Sequence, residues 1–189
     1  MHTPFTRRGA IGVTAAALAA LTGAASVHAQ DASPAASPAA GVRMDAIAGG
    51  GVLSQLGVEV PFSMMFFAAP GVDGGGGGTF RLVDPTIESA PLTIEGTGVI
   101  SYEQLSEAAT HGRRIVGWST INGSGNYPFM LQVEDLGEPG SGEDVFNLVL
   151  GEAAIPFLGG EDKSGCDCGG FGYSLRSNVM AGDITLLVP

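Results

Sequence analysis

The chain has 189 residues, 44% of them hydrophobic and only 14% charged, with 31 glycines and 11 prolines. Eight basic residues against nineteen acidic ones give a net charge of −11, a surface that repels phosphate backbones and anionic lipid and argues against nucleic acid or acidic membranes as partners. The length suits one ordinary domain plus a tail, and the sparse charge with abundant glycine disfavours a helical bundle.

In chain order, the first predicted element is an export leader. Arg7 and Arg8 precede an apolar run from Val13 to Ala25, and no acidic residue comes before Asp31. A basic segment, an apolar core of about a dozen residues and a small-residue exit make up a secretory signal peptide. The run is shorter than the ~20 apolar residues of a membrane span. The paired arginines before a weakly hydrophobic core resemble a twin-arginine signal, with the general secretory route as the alternative. Cleavage is expected after Ala29, in Val27-His28-Ala29, and no cysteine lies nearby to mark a lipoprotein. Without its first thirty residues the chain carries six basic and nineteen acidic residues, −13 on 159 residues.

Residues 30–48 hold a doubled Ser-Pro-Ala-Ala unit around Pro34 and Pro38. It has nothing to bury, so it reads as an extended spacer reaching roughly 30 Å at ~3.1 Å per residue. It is either a stalk or a free mature N-terminus. From Gly49 to the last residue the chain alternates with period two between Gly, Pro, Asn and Asp punctuation. Strands are predicted at Ser63–Ala68, Thr79–Val83, Leu92–Glu95, Ile115–Ile121, Tyr127–Val133, Val145–Leu150 and Ile184–Val188. Asn122-Gly123 between two of these runs is a hairpin signal, because both residues tolerate positive φ. Gly74–Gly78 reads as a loop tip. Ser101 with Gln104 three residues later matches a capping box, so 101–110 is either a two-turn helix or an irregular edge strand. Seven or eight short strands at this spacing predict an all-β domain, a single antiparallel β-sandwich over 49–189.

Gly117-Trp118-Ser119-Thr120-Ile121-Asn122-Gly123-Ser124-Gly125-Asn126-Tyr127-Pro128-Phe129, followed by Glu134-Asp135 and by Asp144-Val145-Phe146, resembles the central signature of the post-COAP domain family. Tyr102–Leu105, Gly182–Leu186 and Gly49–Gly51 are similar to flanking parts of that pattern. Trp118, Ser119 and Asn147 depart from it. The resemblance implies an extracellular bacterial β-rich module without established catalytic residues, and so supplies no active site.

Candidate chemistry is sparse. Cys166-Asp167-Cys168 can form a structural disulfide, ligate a soft metal or act as a dithiol redox pair. These are the chain's two cysteines, and a zinc site would need further ligands. His111 is the one histidine beyond the leader, and it reads as a surface residue in a turn. No Gly-x-Ser-x-Gly elbow accompanies it. Asp135, Glu138, Glu143 and Asp144, spread through a glycine-rich turn, are candidate calcium ligands, although a solvated acidic loop is the simpler account of them. Glu161 and Asp162 are auxiliary ligands to either metal reading. Trp118, Tyr127 and Phe129 are either a carbohydrate platform or cross-strand core pairs. Asn122-Gly123-Ser124 also fits the glycosylation pattern, though the turn explains it. The sequence therefore predicts an exported non-enzymatic β module of structural or interaction type. It requires no cofactor unless calcium binds, its ligand or partner lies in the envelope or outside the cell, and its mature part has no transmembrane segment. The alternatives are a calcium- or carbohydrate-binding module acting through residues 134–144 and, more distantly, a thiol-redox protein using Cys166 and Cys168.

Overall fold

The computed structural model describes residues 44–68, 74–87, 90–160 and 163–188. The leader with Arg7 and Arg8, the spacer up to residue 43, and Glu161-Asp162 lie outside the described residues. Nine strands follow one another: β1 (Ala46–Gln55), β2 (Val58–Ala68), β3 (Gly76–Asp84), β4 (Leu92–Gln104), β5 (Gly112–Ile121), β6 (Ser124–Glu134), β7 (Val145–Gly151), β8 (Gly172–Asn178) and β9 (Ala181–Leu187). A 3-10 helix (Glu152–Leu158) lies between β7 and β8. The all-β antiparallel prediction holds.

The sheet arrangement differs from a two-layer sandwich. All nine strands form one sheet in the order β8-β7-β6-β5-β4-β3-β2-β1-β9. Its two edge strands are consecutive in the chain, separated by Val179 and Met180, a connection that can reach only about 11 Å. The sheet must therefore curl until its edges meet. At the junction the Met180 amide donates to Val52 O at 2.8 Å and the Val179 amide to Asp144 O at 2.9 Å. The Ser54 amide donates to Ser177 Oγ at 3.1 Å. Chain running along β7 as β8 thus passes to β1 as β9.

Period-two patterning points one side of each strand inward. Val60, Phe62, Met64 and Phe66 of β2, Phe80 and Leu82 of β3, Phe129, Leu131 and Val133 of β6, and Phe146, Leu148 and Leu150 of β7 are all buried in one core. Aromatic rings from strands that are not sheet neighbours meet inside. The Phe62 and Phe146 centroids lie 4.9 Å apart, and Phe80 meets Phe129 edge-on at 4.9 Å. Each such pair adds about 1 kcal/mol beyond the area it buries. On the outer face Val116, Met130 and Leu158 form a second, smaller cluster with Ile100, Trp118 and Val149. The 3-10 helix supplies Leu158, so it covers the outer side of β5–β7.

Three local expectations change. Residues 101–104 are not helical but complete β4, and Ser106 rather than Ser101 organises the turn that follows. Its Oγ accepts the Ala109 amide at 3.0 Å. Gly76–Gly78 belong to β3 rather than to a loop tip. A Cβ on them would collide with Tyr102, Phe67 and Phe66, so glycine is what allows β3 to lie under those side chains. Strand structure also begins at Ala46, inside the stretch assigned to the spacer.

Candidate functional site

The acidic turn between β6 and β7 is tied to β9. Asp144, 4% exposed, accepts the Leu136 amide on Oδ1 at 3.0 Å and the Ile184 amide on Oδ2 at 2.8 Å. Asp135 Oδ2 accepts the Leu186 amide at 2.8 Å. Ile184 and Leu186 are alternate residues of β9, so these amides leave the same edge of the strand, the one facing away from β1. Two carboxylates thus stand where a further strand would supply carbonyls. Glu138 and Glu143 are exposed, and Glu143 packs its carboxyl over Gly137. Among the described residues no three His, Cys, Asp or Glu side chains come together as a metal site. The four candidate calcium ligands therefore divide into two clasp residues and two solvent-facing ones.

Two polar clusters sit at the ends of the core. At one, Arg113, 2% exposed, holds Asp45 with two nitrogens, Nε at 3.0 Å and Nη2 at 2.6 Å. The Tyr102 hydroxyl donates to Asp45 Oδ1 at 2.7 Å. Burial, then the bond to Asp45, push the Tyr102 hydroxyl well above the ordinary tyrosine range. Burial works against the Arg113 charge, but the Asp45 contacts outweigh it and keep the guanidinium above its ordinary value. At the other end Asp84, fully buried, accepts the Tyr173 hydroxyl at 2.8 Å and the Thr86 amide at 2.8 Å. Burial first, and Asp84 second, raise the Tyr173 hydroxyl far above its usual range. Sequence reasoning passed over both clusters. Asp84-Pro85 before Thr86 is a turn-initiating signal that could have located one of them. The carboxylate partner of Arg113, Asp45, comes from 68 residues away, which no local pattern reveals.

Cys166 and Cys168 are bonded to each other. Their loop is docked on the β5–β6 hairpin. Asp167 Oδ2 accepts the Asn126 amide at 2.7 Å, the Asp167 amide donates to Asn126 O at 3.0 Å, and Asn126 Nδ2 donates to Gly165 O at 3.0 Å. Cys166 is partly buried, whereas Cys168 is 5% exposed.

The aromatic trio does not share a face. Phe129 is in the core and Tyr127 leans on it while meeting Phe171 edge-on at 5.5 Å. Trp118 points outward into the Val116–Met130 cluster. His111 is exposed in the turn before β5. A concavity of about 550 Å³ lies on the outer face of β2–β4 and is lined by Ser63, Met65, Thr79, Arg81, Glu95 and Thr97 among others. Arg81 and Glu95 pair across it at 3.1 Å. Comparison with protein-family models, curated proteins and solved structures returns no match to the chain. Among the described residues no helix is long and apolar enough to cross a membrane.

Proposed function

We propose that the chain is an exported, non-enzymatic β module of structural or interaction type, whose working surface is the outside of the curled sheet. The observation that carries this reading is the packed interior. Phe66, Phe80, Phe129 and Phe146 are at most 1% exposed and occupy the space that a ligand-binding barrel leaves open. Recognition then falls to the outer face, where the Met65 groove with its Arg81–Glu95 pair offers an apolar floor and a charged rim. The twin-arginine-like leader and the resemblance of residues 117–146 to the post-COAP signature support export and an extracellular setting. The calcium- and carbohydrate-binding reading of residues 134–144 draws no support from carboxylates already engaged by β9.

A native, non-reducing mass spectrum of the protein recovered after export tests this reading. The expected species begins near Gln30, is two hydrogens lighter than the dithiol and carries no metal. A stoichiometric metal adduct, or a chain retained in the cell with its leader intact, would overturn it.

A further inference from the structure

We propose that the Cys166–Cys168 disulfide is a thiol-exchange site, with Cys166 as the sulfur attacked by an incoming thiolate and Cys168 as the sheltered leaving group. The bond closes an eleven-atom ring around Asp167 alone. A cross-link over so short a span removes little freedom from the unfolded chain, so stabilising the fold is a poor account of it. The surroundings point to exchange. Cys166 is partly buried whereas Cys168 is only 5% exposed, so approach from solvent favours the Cys166 sulfur over the other. The loop is also held independently of the bond on either side of the ring: Asn126 Nδ2 donates to Gly165 O, and Glu152 Oε1 accepts the Gly170 amide at 3.0 Å. Opening the ring therefore leaves the strands paired and loosens chiefly the Asp167–Asn126 bridge. This inference goes beyond the module reading and does not rest on it.

The steps balance with a small thiol as reductant. Its thiolate attacks Cys166 Sγ, the Cys166–Cys168 bond breaks, and Cys168 leaves with the electron pair and takes a proton from solvent. A second thiolate attacks the small-molecule sulfur of the mixed disulfide, releasing the small disulfide and the Cys166 thiol. Asp167 stands between the two sulfurs and Glu152 is held beside the loop through the Gly170 amide, against Lys163, whose carbonyl accepts the Cys166 amide, so cationic thiols are favoured over anionic ones.

The test exposes the oxidised full chain to cysteamine or mercaptoacetate at equal thiolate concentration, without denaturant, followed by alkylation and mass analysis. Reduction is expected under native conditions, roughly threefold to tenfold faster with cysteamine at low salt, the ratio collapsing near 0.5 M salt. The Asn126 amide should exchange hydrogen faster in the reduced chain while the strand amides keep their protection. In a second arm, cystamine should modify Cys166 in the C168S chain about tenfold faster than Cys168 in the C166S chain. Reduction only after unfolding in urea would overturn the proposal, as would equal modification of the two single-cysteine variants.

Discussion

Leu56 holds a left-handed backbone, φ 54°, while 91% exposed. With Gly57 at φ 79° it makes the two-residue turn between β1 and β2. The β5–β6 turn uses the same geometry with Asn122 at φ 51° and Gly123 at φ 74°. Asparagine visits this region readily, whereas a leucine there pays for its Cβ without burying its side chain. Leu56→Asn is therefore expected to stabilise the domain by about 1 kcal/mol in urea denaturation. A loss of stability would show that Leu56 holds the tip by a contact of its own. The pair also shows what a sequence reveals about turns: Asn122-Gly123 announces a hairpin by chemistry, and Leu56-Gly57 hides an identical one behind an ordinary apolar residue. Asp45 and Arg113 were hidden for another reason, since an ion pair between distant residues has no local periodicity.

At the scale of elements, β9 depends on side chains from the β6–β7 turn. Removing the Asp144 carboxylate strands the Leu136 and Ile184 amides, the latter in a buried bond. Bonds to a charged acceptor contribute roughly 1.5–3 kcal/mol each. Asp144→Ala should accordingly lower stability by about 3 kcal/mol in urea, Asp144→Asn by less, and the more exposed Asp135→Ala by about 1 kcal/mol. Equal, small effects at all three would refute the clasp. The strands containing these residues were readable from period two, as were the cores of β5, β6 and β7. Strand β8 was not, because Gly172-Tyr-Ser-Leu-Arg-Ser-Asn178 is polar at every second position and too short for its two inward residues, Tyr173 and Leu175, to stand out. The acidic turn was misleading because carboxylates among glycines look alike whether they face a cation or a strand edge. The 3-10 helix, interrupted by Pro156 and closed by Gly159 in a left-handed conformation, gives no helical periodicity to read.

For the whole molecule, the net charge of −11 pushes the folded chain toward expansion. Raising sodium chloride from about 10 mM to about 0.5 M should raise Tm by a few degrees through screening. Calcium chloride at matched ionic strength should add nothing further; a specific site would add about 2 kcal/mol once free calcium reached roughly thirtyfold its Kd. All-β structure was evident from the alternation, but one curled sheet rather than a sandwich was not. Alternation marks which side of a strand is buried and says nothing about which strand closes the edge. Here closure falls to β9, whose Leu187 pairs with Ala46 of β1 across most of the chain. Eight strands can zip hairpin by hairpin as each emerges from synthesis, but β1 has to wait with one flank open until the ninth has been made. In that interval the nascent sheet offers neighbouring chains two unpaired edges. When β9 docks, β1 gains its partner and the Asp135 and Asp144 carboxylates take up amides on β9's own outer edge, so the ninth strand protects the first.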